Sequence, residues 1–538
     1  MTENKSKSGS AAFIKDGLLL TFATLALRSA GIFFSSRLSV IAGTAVLGLY
    51  TQIMSVYAFA ATAATAGVNL GALRITAESY GRGDLDCIRP GMREAIKYCL
   101  KVGLFTCIML AVNSRLFGTA LLRDARTVSS LQALAFALPF ISVANAFHGY
   151  FNGIKRIYKS IAVSFCEQAA RISLTLYTLT RLEGASTELM CLTLVACNVI
   201  SEIISCLLLA ALYLFDSRRY PVATANKLLL KKRFTGITLP LAVSALIRSG
   251  LTSAEHILIP IGLRASGESG DSAMSKYGIV SGMVMPILLF PMALLSSFAS
   301  ITVTNLSSRI SACESGSSIS RTVSKGISLS LKYAIGEAMI IHYFAPALAS
   351  SIYASAEAGQ YLRIMAPLVF LMYLDHISDG MLKGLDKQNY VMKVNIIDAS
   401  LSVIFAVILI PRLGIYGFIA SVYICEFLNC ICSFGMLMRS LPLRFSITEN
   451  ILAPVSTASA SVYISALMIG NSIFSVILSA ILFLVLQILP YFFRTFSRNT
   501  FSGKCSVHDK RVGKGVLAFQ SDGNVLLALA DKKHDRPA

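Results

Sequence analysis

Two stretches decide the fold: LPFISVANAFHGYFNGIKR at residues 138–156 and APLVFLMYLDHISDGMLKGLDK at residues 366–387. Each is an apolar run of membrane-crossing length, opened by a proline and closed by two glycines and a basic end. Pro139 matches Pro367, Gly149 matches Gly380 and Gly153 matches Gly384, with a three-residue adjustment between them. At the later offset Glu167 falls on Asp398. Working outward, LALRSAG (25–31) and SALIRSG (244–250) pair Arg28 with Arg248, and VISEIIS (199–205) and YICEFLN (423–429) pair Glu202 with Glu426. Intramembrane charges coincide as well as apolar letters, which chance matching of apolar sequence does not explain. The pattern is an internal parallel repeat, a recurrent design among transporters that hold substrate between two halves.

Composition sets the solvent. Apolar residues make up 55% of the chain and charged residues 14%, against about 25% charged in a soluble domain. Apolar blocks of about 20 residues, enough to cross a hydrocarbon core as helix, lie near 13–36, 46–73, 95–113, 128–152, 158–180, 187–214, 235–261, 276–304, 326–349, 361–383, 391–411, 414–438, 451–470 and 472–494. The expected fold is therefore an all-α polytopic membrane protein of about fourteen transmembrane helices: two six-helix lobes in pseudo-two-fold parallel repeat, plus two C-terminal helices. Its expected parts are a cytoplasmic N-terminus (1–12), an N-lobe (13–215), a basic cytoplasmic linker (216–233), a C-lobe (234–440), spans thirteen and fourteen (441–496) and a basic cytoplasmic tail (497–538).

The net charge of +20 gathers in loops on one side. The positive-inside rule makes that side cytoplasmic, with both termini, and accounts for the charge without nucleic acid. The strongest contributor is the linker cluster Arg218, Arg219, Lys227, Lys231, Lys232 and Arg233. There is no Trp, so Tyr fills the interfacial belt. Of twelve cysteines, Cys99, Cys107, Cys166, Cys191, Cys197, Cys206, Cys425, Cys430 and Cys432 fall inside apolar runs and read as small core residues. The first apolar run lacks an A-x-A-type cleavage site and is expected to be retained as a span.

Charge inside a span costs about 2.5–3.5 kcal/mol at a helix centre, so these residues are the candidates for function. Arg28 and Arg248 occupy matching places, and guanidinium grips phosphate bidentately at any accessible pH. Either both line a shared cavity and hold a diphosphate, or each pairs with a helical carboxylate and braces the bundle. Glu167 and Arg171 sit four apart on one face and can pair. Glu202, Asp398, Glu426 and Glu337 have no cation four residues away. Buried carboxylates of this kind can exchange protons or bind Na⁺, which makes Glu167, Glu202, Asp398 and Glu426 coupling candidates. Asp375, Asp379 and Lys383 share a face of span ten, expected to be water-lined. Pro139, Pro286, Pro291, Pro367 and the glycines Gly149, Gly153, Gly380 and Gly384 are hinge or gating candidates. External loops are short and no phosphate loop with GK[ST] occurs. The expectation is thus no enzyme, no cofactor and no metal, with Na⁺ or H⁺ as candidate coupling ions.

Three segments carry a family resemblance: LGLYTQIMSVYAFAATAATAGVNLGALRITAE (47–78), HGYFNGIKRIYKSIAVSFCEQAARI (148–172) and YLRIMAPLVFLMYLDHISDGMLKGLDKQNY (361–390). They resemble the stage V sporulation protein B branch of polysaccharide flippases, in the multidrug/oligosaccharidyl-lipid/polysaccharide (MOP) exporter superfamily. The resemblance runs from about residue 12 to 495. It implies two lobes, alternating access in the bacterial cytoplasmic membrane, and export of polyprenyl-diphosphate-linked oligosaccharides such as lipid II. In lipid II flippase relatives, arginines of the first helices line a cationic cavity. Arg28 matches that pattern, Arg248 is its repeat counterpart, and Arg74, at the end of span two, belongs to the cavity or to the cytoplasmic gate. Membrane lipids and cell-wall synthesis enzymes are the implied partners. Two rivals remain: an ion-coupled multidrug antiporter on the same fold, and a non-transporting scaffold for cell-wall enzymes.

Overall fold

The computed structural model describes the backbone of residues 2–82, 85–182, 184–220, 227–296, 298, 299, 302, 306, 315–443 and 446–502. Side chains are described from Phe22 to Gln487 within those stretches, except at 81, 82, 227–233, 236, 237, 239–241 and 244. The side chains of the lysines and arginine at 227–233, and the whole tail from 503, lie outside the described residues. The chain divides into a unit Met1–Leu484, to which everything below belongs apart from the end of the last helix, and a unit Val485–Ala538.

Among the described residues there is no strand. In hydrocarbon every peptide group needs an internal partner, and the helix supplies one within a single segment. The first half runs α1 (Thr2–Ala42), α2 (Thr44–Thr65), α3 (Val68–Arg82), α4 (Ile88–Val112), α5 (Val128–Ala135), α6 (Leu138–Gly153), α7 (Ile157–Leu179) and α8 (Thr187–Ser217). The second half runs α9 (Lys227–Ala265), α10 (Gly270–Ile279), α11 (Met285–Leu289), α12 (Gly316–Tyr353), α13 (Ala356–Met365), α14 (Leu368–Gly384), α15 (Gln388–Ile408) and α16 (Ile415–Ser440). It is followed by α17 (Ala453–Ile469) and α18 (Ile473–Ser502). Among the described residues nine helical segments are long and apolar enough to cross a membrane, or ten if α5 and α6 form one bent span. The fourteen expected spans are not all in that set. Helices α7, α9 and the α13–α14 pair coincide with expected spans but fall outside it, and these are the helices that carry Glu167, Arg171, Arg248, Glu255, Asp375 and Asp379.

Spans four and ten break at the same place. Between α5 and α6 the axis bends by 47°, and Pro139 sits in the first turn of α6. Between α13 and α14 the chain breaks at Ala366–Pro367. Proline is tolerated there because the first turn of a helix has no N–H partner to lose. Span eight is broken more deeply. After α10 comes a π-helical turn at Val280–Val284, then the five residues of α11, and the helix unwinds at Phe290–Pro291 before resuming at Met292.

The halves meet through small residues. A methyl group on Gly48 of α2 would lie 2.0 Å from the Met274 carbonyl oxygen of α10, and one on Gly278 2.5 Å from that of Thr44. Beside this crossing Thr44 and Ser275 share a hydrogen bond of 2.6 Å. Further along, Ser249 donates to Thr62 (3.0 Å) and Ser253 to the Ser55 carbonyl (2.8 Å), joining α9 to α2. Gly149 and Gly153 let α6 cross α3, their would-be Cβ atoms 2.4 and 2.9 Å from the carbonyls of Asn69 and Leu73. Leu104, Phe105, Ile108, Leu207, Phe215 and Ile397 face outward, the surface expected of a chain whose solvent is lipid.

Candidate substrate and coupling sites

Arg28 lies on α1 and is half-buried. Its Nη1 donates to the carbonyl of Leu289, the last residue of α11 in the second half. Arg248 lies on α9, exposed, within electrostatic reach of Asp398 on α15. Among the described residues neither guanidinium is within ion-pair distance of a carboxylate. Arg74 is exposed on α3. A residue that the sequence reading missed, Arg37, lies on α1 with its guanidinium 5.4 Å from the Phe33 ring centre. It borders a cleft of about 420 Å³ between α1 and the end of α12.

The coupling candidates form two groups, one per half. In the first, Arg171 reaches Glu167 at 2.7 Å and Glu202, across to α8, at 3.9 Å. Glu202 therefore has the cation that its own helix does not offer. In the second half, Glu426 of α16 lies within electrostatic reach of Asp375, Asp379, Asp398 and Glu255. Glu255 was not singled out from sequence. It accepts a 2.6 Å hydrogen bond from Ser402, and its signal was its place seven residues after Arg248, on the same helix face. At the offset that pairs Glu167 with Asp398, Arg171 falls on Ser402. The second half thus has a hydroxyl where the first has its counter-ion.

The face of span ten is buried, which corrects the expected water lining. Asp379 accepts from Asn395 of α15 (3.1 Å) and Ser433 of α16 (2.9 Å), and Asp375 accepts from Asn429 of α16 (3.1 Å). Oδ1 of both Asp375 and Asn429 lacks a partner among the described residues. Lys383 alone on this face is exposed. Gly380 and Gly384 are buried in α14. Among the described residues no group of three or more His, Cys, Asp or Glu could hold a metal ion.

Where the halves meet near Gly48 and Gly278, the loops add charge. Arg126 binds Asp124 at 2.7 Å and crosses to Asp271 at 3.3 Å, while Arg264 crosses back to Asp124 at 3.7 Å. Lys276 and Glu268 pair beside them.

An all-helical membrane bundle with repeated broken spans, intramembrane charge in both halves and a closed junction at one end defines a polytopic transporter fold. The chain shares the fold of an inward-facing multidrug resistance MATE family transporter of the MOP superfamily (TM-score 0.61, 16% identity, covering 79% of this chain and 97% of that one). It also shares that of the lipid II flippase MurJ in an inward closed conformation (TM-score 0.63, 12% identity, 88% and 99%). The MatE family model matches residues 261–408. The chain is a homologue of stage V sporulation protein B of Bacillus subtilis (strain 168), 23% identical over 453 residues, which span 82% of this chain and 86% of the relative. Sporulation protein YkvU of the same organism is 21% identical over 272 residues, 46% of this chain and 60% of that protein.

Proposed function

We propose that the chain is a flippase that moves a polyprenyl-diphosphate-linked sugar out across the cytoplasmic membrane by alternating access between two lobes, 13–215 and 234–440, with both termini inside. The observation that carries this reading is the pair Arg28 and Arg248: repeat-related guanidiniums on apolar stretches, neither within ion-pair distance of a carboxylate among the described residues. Such groups are costly to keep in a membrane and suit a diphosphate. Arg74 guides the head group at the inner mouth, and the lipid tail stays in the bilayer. The likeness to the lipid II flippase MurJ supports the substrate class, and that to stage V sporulation protein B supports a role in sporulation.

The acids of the second half supply the coupling. Asp375, Asp379, Asp398 and Glu255 lie within electrostatic reach of Glu426, and among the described residues Oδ1 of Asp375 and of Asn429 has no partner, which suits uptake of H⁺ or Na⁺. The same cluster also suits an ion-coupled multidrug antiporter, so the decisive experiment separates the two. Purified protein in vesicles is given labelled lipid II or a cationic drug. Arg28→Ala and Arg248→Ala should each cut lipid II flipping at least tenfold while the protein still elutes as a single species. Full flipping by both variants, or drug efflux without flipping, overturns the reading.

A further inference from the structure

The broken turn of span eight is held by three side chains from three other helices. Pro291 has no N–H to give, and the unwinding at Phe290–Pro291 deprives the carbonyls before it of their partners one turn on. Those carbonyls are not orphaned. Leu289 accepts from Arg28 of α1 and Leu288 from the Tyr373 hydroxyl of α14 at 3.0 Å, while at the break itself the Pro291 carbonyl, which accepts from the Leu294 N–H at 3.2 Å, takes a second bond from the Tyr333 hydroxyl of α12 at 3.0 Å. The two tyrosine rings stack, 5.9 Å between centres and 19° apart, so they act as one unit. Arg28 is the only donor of the three from the first half.

The same span leads directly to the junction of the halves. Its α10 segment carries Gly278 against Thr44, Ser275 bonded to Thr44, and Asp271 bonded to Arg126. One guanidinium cannot hold the Leu289 carbonyl and chelate a diphosphate with the same N–H groups, and a charged phosphate is the stronger acceptor. We infer that Arg28, Tyr333 and Tyr373 form a clamp on span eight, and that a diphosphate head group opens the Gly48–Gly278 junction by drawing Arg28 off the Leu289 carbonyl. Tyr333 and Tyr373 are positioning residues in this scheme: they touch the helix, not the substrate. The inference rests on the flippase reading for the identity of the anion.

The test uses the full chain in lipid nanodiscs, where both faces are accessible. Ser275→Cys, at the junction, is labelled with a hydrophilic maleimide, with the parent chain as the background for native cysteines. The probe is a short-chain polyprenyl-diphosphate disaccharide, and its binding is measured in the same nanodiscs. With intact tyrosines, labelling should be slow without probe and several-fold faster with it. Tyr333→Phe with Tyr373→Phe should label fast without probe and gain little from it, while binding probe within a few-fold of the intact protein. Tyr333→Phe alone should fall between, and serves if the double variant does not elute as a single species. Labelling of the tyrosine variants at the intact rate, with the probe effect preserved, overturns the clamp. Probe that binds without changing the rate overturns the coupling to phosphate. Probe that does not bind Ser275→Cys protein at all refutes the flippase reading instead, and the probe-free rates then still decide the clamp.

Discussion

Asp124 is held by arginines from opposite halves, and it lies outside the spans. Burial works to raise its pKa, but the hydrogen bonds from Arg126 and the charges of Arg126 and Arg264 outweigh that and hold the carboxyl below the ordinary range. A carboxylate lowered in the folded state stabilises at pH above its unfolded value of about 3.9, and that contribution fades as pH falls through the folded value. Asp124→Asn should therefore cost about 1–3 kcal/mol at neutral pH, seen as a lower Tm. The Tm gap to the intact protein should persist through pH 5 and close only below about pH 4. A gap that closes between pH 7 and 6 would point to another group. Part of this scale could be read from the chain itself: Glu167 with Arg171 four residues on is the ion pair that helix spacing predicts. Glu202 finding Arg171, or Asp375 finding Asn429, could not, because helix periodicity gives a residue's face and not the neighbour that face will meet.

Broken elements carry most of the information in this fold. Pro139 and Pro367, hinge or gating candidates by sequence, stand beside breaks in spans four and ten. Pro286 and Pro291, candidates of the same kind, lie in the broken span eight, and the side-chain donors to its carbonyls come from α1, α12 and α14, which no local pattern indicates. Gly149 and Gly153, expected as hinges, serve here as the close crossing of α6 on α3, since motion and tight packing demand the same small residue. The α2–α10 crossing gives a direct check. Gly278→Val would drive a side chain into the Thr44 carbonyl, and overpacking of this sort costs about 1–3 kcal/mol or more. Because only the closed junction suffers, the variant should show faster hydrophilic-maleimide labelling of Thr44→Cys with little loss of secondary structure by circular dichroism. Unchanged labelling would mean that the contact can relax without separation.

At the scale of the whole molecule, the two halves share a plan but not a charge balance. If the second half couples transport to an ion, collapsing the Na⁺ or H⁺ gradient across vesicles should slow flipping at least tenfold. Glu426→Gln together with Glu255→Gln should remove that dependence, while the same change at Glu202 should leave it. Flipping that ignores both gradients would refute the assignment. A duplicated chain can divide labour in this way because the two copies drift apart one position at a time. Where the first half keeps an arginine at 171, the second half has Ser402, and in the proposed coupling scheme an ion taken up there supplies the positive charge that Arg171 supplies in the first. Placing an arginine at that single serine would hand the second copy its own permanent tenant, and leave a symmetrical, idle machine.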